Sequence, residues 1–349
     1  AGARRARQAV AEVPVPGELT SVADDEAVVH LDGSARVYDG LTPDTGYEYD
    51  GHAFRTFPDL GERLATVATV NDVHFGETIC GVLEGYDGGP TFTSGPGEDP
   101  YPEVMNRSVI ADIGAVAPDA VVAKGDLTTH GIQEEYDAFL AHYGTAFGDR
   151  LLHVRGNHDA YAGEDFAADA PIARHLPGVT LAVLDTVIPT RTPGRVTADQ
   201  LGWLDELGAA ADRPVLVFGH HHVWSPTSNH RPDSYFGINP DDSEALIEVF
   251  ARRPALAGYF AGHTHRNRVR HVPATGDRPW AEVACVKDFP GSWAEYRVFE
   301  RGILQVHRRA SATDAQAWAD RTRAIYGGGY VEYAFGALED RCFVLAESS

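Results

Sequence analysis

Five apolar runs that read as buried strands each end in a short patch of Asp, Asn and His. This repeat constrains the fold more than any other feature of the chain. The patches are Asn71-Asp72-Val73-His74, Gly125-Asp126, Gly156-Asn157-His158-Asp159, Gly219-His220-His221-His222 and Gly262-His263-Thr264-His265. In α/β proteins the ligand-binding loops lie at the carboxyl ends of strands, and every patch holds that position. The series points to a strand-based architecture and to a site assembled from distant parts of the chain.

From residue 64 onward, strand-like and helical segments alternate. Residues 64–70, 120–123, 151–154, 179–184, 215–218 and 256–260 read as strands. Residues 103–115, 133–143, 197–207 and 243–250 read as helices, with Thr197 and Gln200 spaced as a capping box. The later runs 268–272, 281–286, 294–299 and 303–306 are β-like. This order predicts a central two-sheet sandwich flanked by helices. Residues 1–62 differ, with an alternating stretch and a strand-turn-strand signal at 37–49. Within it, Leu41-Thr42-Pro43-Asp44-Thr45-Gly46-Tyr47 resembles a turn of fibronectin type III domains. The expected division is a small β-rich module or arm at 1–62, a main α/β domain at 63–310 and a C-terminal extension at 311–349 packed on it. That extension reads as a helix, a break at Gly327-Gly328-Gly329 and a strand over 330–345. Two long irregular loops, 76–101 and 224–240, leave directly from the first and fourth patches, as binding loops do.

Composition narrows the function classes. Hydrophobic residues make up 43% of the 349 and charged residues 23%, as in soluble globular proteins. No run of about 18 apolar residues exists, so no membrane span is expected. The basic start Ala1-Gly2-Ala3-Arg4-Arg5-Ala6-Arg7 is not followed by an apolar stretch. No signal peptide is therefore visible, which favours a cytoplasmic protein, although the chain lacks a starting Met and processing stays open. A net charge of −22 repels polyanions and argues against a nucleic acid polymer as partner. A small anion can still enter where metal ions make the site locally positive. Cys80, Cys285 and Cys342 form no metal or redox pattern and read as free thiols, with one disulfide as the other option.

The donors in the patches are carboxylate, imidazole and amide oxygen, which suit Mn, Fe, Co, Ni and Zn. The lack of Cys argues against a structural zinc site. Taken in order, Asp-x-His, Gly-Asp, Gly-Asn-His-Asp, Gly-His and Gly-His-Thr-His resemble the calcineurin-like metallophosphoesterases, over residues 64–306. The resemblance implies a four-layer α/β/β/α sandwich and two metal ions, divalent or of mixed valence, drawn from Mn, Fe and Zn. Asp72, His74 and His265 would hold one ion, and Asn157, His220 and His263 the other, with Asp126 bridging both. His158 would be the catalytic histidine that binds no metal. Residues two apart share a face of extended chain, which would point Asp72 and His74 the same way, and likewise His263 and His265. With a bridging hydroxide the centre would carry about +1, suited to a phosphodiester anion. In-line attack by that hydroxide is the implied reaction, and His158 could stabilise the phosphoryl oxygen or protonate the leaving alkoxide.

Departures within the family narrow the resemblance. Protein Ser/Thr phosphatases carry Gly-Asp-x-Val-Asp-Arg-Gly and Gly-Asn-His-Glu, whereas this chain has Gly125-Asp126-Leu127-Thr128-Thr129-His130-Gly131 and ends the latter motif in Asp159. Purple acid phosphatases place a tyrosine ligand where Thr129 stands. Large periplasmic nucleotidases need a second domain that this length does not hold. The stretch from Lys124 to Gly131, with Glu135-Tyr136 after it, is similar to the class III cyclic nucleotide phosphodiesterase and glycerophosphodiesterase group, apart from Thr129 in place of an Asp common there. Hydrolysis of small phosphodiesters is the leading expectation. The alternatives are a broad phosphomonoesterase, or a binding scaffold that uses residues 1–62. Candidate substrate contacts are His221, Arg155, Tyr101, Asn106 and Trp224, with Arg107, Asn229, His230, Tyr235 and Arg266 as further loop or flanking residues. A homodimer is a further option, which the β-rich arm or the C-terminal extension could mediate.

Overall fold

The first described strands are short and share a small apolar cluster of Val22, Ala27 and Phe54. β1 (Glu18–Val22), β2 (Ala27–Leu31) and β3 (Ser34–Tyr38) form an antiparallel sheet, and β4 (Gly46–Tyr49) and β5 (His52–Arg55) a hairpin. The fibronectin-like turn is formed, with the Thr42 N–H donating to Tyr47 Oη at 2.9 Å. Charge fastens this arm to the rest. Arg297, almost wholly buried, pairs with Asp24 at 2.8 Å, Asp25 at 2.6 Å and Glu26. Glu18 pairs with Arg309 at 3.2 Å and Arg323 at 2.5 Å. This computed structural model describes residues 17–31, 33–82, 89–233 and 235–345; the basic start at 1–7 and the middle of the first long loop lie outside them.

From Arg63 the chain lays down two sheets. β6 (Arg63–Val70), β7 (Ala120–Lys124) and β8 (Leu151–Val154) begin the first. β9 (Ile172–Leu176), β10 (Val179–Val183), β11 (Val215–Phe218), β12 (Leu256–Ala261), β13 (Arg268–His271) and β14 (Pro279–Glu282) form the second. β15 (Ser292–Phe299), β16 (Gly302–Arg309) and β17 (Phe343–Leu345) return to the first. The strand orders are β17-β16-β15-β6-β7-β8 and β13-β14-β12-β11-β10-β9. The pairs β6–β7, β7–β8, β10–β11 and β11–β12 are parallel. Period-two alternation explains the layers. Val67, Val122, Leu181 and Phe218 face the space between the sheets. Ala68, Val121 and Ala123 face outward onto Met105, Val109 and Ile113 of the helix Tyr101–Ala115, and Ala182 and Val217 onto Leu204 and Leu246 of the helices Ala198–Ala210 and Pro240–Arg252. The result is the expected α/β/β/α sandwich.

Two local expectations change. Thr197 caps its helix by accepting the Gln200 N–H at 3.3 Å, but the Gln200 side chain bonds both backbone groups of Asp185 at 2.8 Å instead of closing a capping box. The stretch after Gly329 is helical, as Gly329–Phe335 and Leu338–Arg341, and only Phe343–Leu345 is strand. Its aromatic content favours a strand locally, yet Tyr330 and Ala334, four apart, bury one helical face, and tertiary packing overrides propensity. All three cysteines are buried and free, and no helix among the described residues is long and apolar enough to cross a membrane.

Phe218 and Phe260 of the second sheet meet Tyr296 of the first with ring centroids 5.0–5.9 Å apart. Phe218→Ala should cost about 3–5 kcal/mol in denaturant unfolding; a loss below about 1 kcal/mol would mean that this trio does not join the sheets.

Candidate metal centre

All five patches leave the carboxyl ends of parallel strands, three in the first sheet (β6, β7, β8) and two in the second (β11, β12), so the two sheets deliver them to one edge of the sandwich. Backbone bonds lock neighbouring loops together. The Asp72 N–H donates to Gly125 O and the His74 N–H to Asp126 O, both at 3.0 Å, and the Gly262 N–H donates to His220 O at 2.9 Å. One carboxylate crosses between sheets: Asp72 accepts the His263 N–H at 3.0 and 3.2 Å. The approach is so close that a Cβ on Gly262 would lie 2.8 Å from Asp72 Oδ2, and one on Gly156 2.2 Å from Asp126 Oδ1.

The expected ligands converge. Asp126 Oδ2 lies 3.3 Å from His220 Nε2 and 3.7 Å from His74 Nε2. Asp72 Oδ1 is 3.3 Å from His265 Nε2, and Asn157 Oδ1 is 3.0 Å from His220 Nε2. Carbonyls fix two of the imidazoles. His220 Nδ1 donates to Lys124 O and His263 Nε2 to Phe236 O, both at 2.8 Å, which turns His220 Nε2 toward Asp126 and Asn157 and leaves His263 Nδ1 for a ligand. His74 has neither ring nitrogen hydrogen-bonded although both are buried. Buried polar atoms without a partner are rare, and a cation would satisfy this one. Ligand atoms of Asp72, His74 and His265 lie within 4.8 Å of one another, as do those of Asp72, Asp126 and His220. The donor set therefore fits a metal.

The electrostatics divide these groups. Burial opposes charge on His220, but the Asp126 carboxylate outweighs it and raises the pKa to about 9. His265 is raised in the same way, burial being outweighed by Asp72. Burial, then Lys287, hold His74 well below the ordinary range, so it stands neutral and ready to ligate. Backbone strain is concentrated here. Asp72 (φ 52°), His74 (46°), Asp126 (51°), His263 (69°) and His265 (54°) all adopt the left-handed region. Each costs on the order of 1–3 kcal/mol. Asp72 and His74 thus do not share a face through extended backbone, as their spacing predicts; left-handed turns aim them, and the same holds for His263 and His265.

Residues 65–267, more than half of the chain and all five patches, match the family model for calcineurin-like phosphoesterases. The chain belongs to that family. Among curated relatives, it is 28% identical over 186 residues to the glycerophosphodiester phosphodiesterase GpdQ of Enterobacter lignolyticus, covering 46% of this chain and 61% of that one. It is 31% identical over 175 residues to a cAMP/cGMP dual specificity phosphodiesterase of Mycobacterium tuberculosis, covering 47% and 52%. The matched segments thus span between about half and two thirds of these relatives. A dimetal phosphatase from Danio rerio shares the fold, with a TM-score of 0.54 at 15% identity over 71% of this chain and 97% of that one. The family is metal-dependent, and the cyclic nucleotide and glycerophosphodiesterase names of the relatives agree with the subgroup expected above.

Several family-motif residues support the site from behind. The Asp159 carboxylate accepts N–H groups of Leu127, Thr128 and Gly156 and the Thr128 hydroxyl at 2.7–3.1 Å, pinning the second patch to the third. Glu135 accepts the Thr129 and His130 N–H groups at 2.9 and 2.7 Å. His158 Nδ1 donates to Thr129 O at 2.8 Å, so the backbone of Thr129 orients this ring.

The five candidate substrate contacts lie in the scaffold instead. Asn106 donates to Val73 O at 2.9 Å and accepts from Tyr143. Tyr101 is buried and stacks on Trp318 at 4.1 Å. Trp224 is buried, with Arg231 over its ring. Arg155 pairs with Asp185 at 2.8 Å, and both His221 nitrogens are taken by Thr186 and the Thr192 carbonyl. Of the flanking residues, Arg266 pairs with Glu282 at 2.9 Å, Arg107 with Asp99 at 3.0 Å, and Tyr235 bonds His222 at 2.9 Å. Sequence reading passed over Phe236, whose carbonyl holds His263, and Tyr161, whose hydroxyl accepts from Asn157 at 2.7 Å. The position of Tyr161, one helical turn after Asn157, was an available signal; nothing marked Phe236 off from Tyr235.

Two outcomes follow from this geometry. Asp159→Asn should weaken metal affinity about 10–100-fold, read by metal titration; unchanged affinity would contradict its loop-pinning role. Because the His220 pKa lies above its ordinary value of 6.5, its pairing with Asp126 stabilises the metal-free protein fully below that value and fades as pH rises through about 9. A metal that replaces this proton must release it. Calorimetric loading at pH about 7.5 should therefore vary with buffer ionisation enthalpy, and heats independent of buffer would contradict the assignment of His220.

Proposed function

We propose that this protein is a two-metal phosphodiesterase acting on small diesters. The observation that carries the proposal is Asp126, whose Oδ2 stands between imidazoles delivered by different sheets, 3.7 Å from His74 and 3.3 Å from His220. One carboxylate between two sets of donors is the arrangement of a shared ligand. Asp72, His74 and His265 are assigned to one ion and Asn157, His220 and His263 to the other, with Asp126 common to both. When bound, two ions drawn from Mn, Fe and Zn would supply a nucleophilic water at neutral pH and Lewis-acid pull on phosphoryl oxygens.

The chain's own residues do the rest. Asp72 and Asp126 set the charge of the centre low enough to suit a singly charged diester. His158, its Nδ1 spent on Thr129 O, keeps Nε2 to hold or give a proton at a phosphoryl or leaving oxygen. The names of the relatives support diesters over monoesters, and the net charge of −22 supports small substrates over nucleic acid polymers.

The Mn-reconstituted protein should hydrolyse bis-p-nitrophenyl phosphate and stop when chelator is added. His158→Ala should lower kcat roughly 10²–10⁴-fold while leaving about two ions per chain. Turnover of monoesters alone would replace the diester reading, and no metal-dependent turnover on either would end the enzymatic one.

A further inference from the structure

The exposed aromatic rings are not scattered. Among the described residues, the large hydrophobic side chains most open to solvent include three aromatic ones: Tyr161 (37%), Phe236 (50%) and Tyr333 (44%). Each is attached to the metal centre. The Tyr161 hydroxyl accepts from Asn157 at 2.7 Å, and its ring lies 4.8 Å from that of His158. The Phe236 ring stacks on His263 at 4.1 Å and 29°. The Tyr333 hydroxyl donates to Thr264 O at 2.9 Å, and Arg266 lies over its ring at 5.1 Å. Tyr333 also lines a cleft of about 510 Å³ together with Arg266, Asn267, Arg268 and Glu332. Exposed apolar rings lose the gain of burial, so three placed around one anion site call for an occupant with apolar faces.

We propose that Phe236 is the specificity-determining platform of this site. It stacks a flat aromatic ester group of the substrate, a nucleobase or aryl ring. This rests on the phosphoesterase reading above and deepens it, selecting base-bearing or aryl phosphoesters over glycerol-type ones. Two features support it. Half of the Phe236 surface stays open although its ring already packs on a ligand histidine. In addition, stacking on an aromatic side chain is tolerant of the base but not of an aliphatic group, which has no π-face.

Binding of products separates this proposal from catalysis. The Mn-loaded protein is titrated calorimetrically with adenosine 5′-monophosphate and with glycerol 3-phosphate, as wild type, Phe236→Ala and Phe236→Tyr. Wild type should prefer the adenosine ester by roughly tenfold or more. Phe236→Ala should bring that ratio close to one, and Phe236→Tyr should restore it. Equal wild-type affinities would overturn the proposal. So would a Phe236→Ala protein that keeps the full preference, or one that loses metal and both ligands alike, since its ring would then serve only to hold His263. If the preference is present but no diester is hydrolysed, the platform stands and the phosphodiesterase reading falls.

Discussion

The position of the Asp126 carboxylate is what the rest of the site depends on. One of its oxygens accepts the His158 N–H at 2.9 Å, and the other faces imidazoles from both sheets. That contact is possible only if β7 and β11 end at the same edge and the sheets pack at the right spacing. The core of Phe218, Phe260 and Tyr296 between the sheets is therefore part of the metal centre in a mechanical sense. Without it, the His220 and His263 loops would have no fixed relation to Asp72 and Asp126.

Holding so many polar groups in a largely buried pocket is costly, and the surrounding structure shows where the cost is met. Five of the expected ligands sit in left-handed backbone, a strain that persists only when neighbours over-determine it. Asp159, Glu135 and Asn106 do so through hydrogen bonds to the loops that carry the ligands. None of the three needs to meet substrate. Their conformational role explains why an acidic residue ends the third patch and why Glu135 lies near the second.

The rim is built by other parts of the chain. Phe236 comes from the long loop after His222, and Tyr333 from a C-terminal helix that sequence pattern reads as strand. The same C-terminal region holds the N-terminal arm, through Arg323 to Glu18 and through Arg341, which donates to the Thr20 carbonyl at 2.6 Å. Arm, extension and central sandwich are thus joined by partly buried ion pairs and hydrogen bonds that no local motif announces.

The sequence by itself determined the sandwich and which polar patches meet at its edge. Both are written in local terms: apolar runs such as residues 64–70 encode buried strands, and a polar patch following a strand can only lie at its end. Tertiary structure alone decided the rest. Spacing cannot reveal left-handed backbone at Asp72 or His263, because close packing of distant loops imposes it. Nor can it separate the buried Asn106 and His221 from Tyr161 and Phe236, whose rings reach the surface. A side chain meets solvent or scaffold according to what the remainder of the chain places beside it, and that is settled only when both sheets have closed.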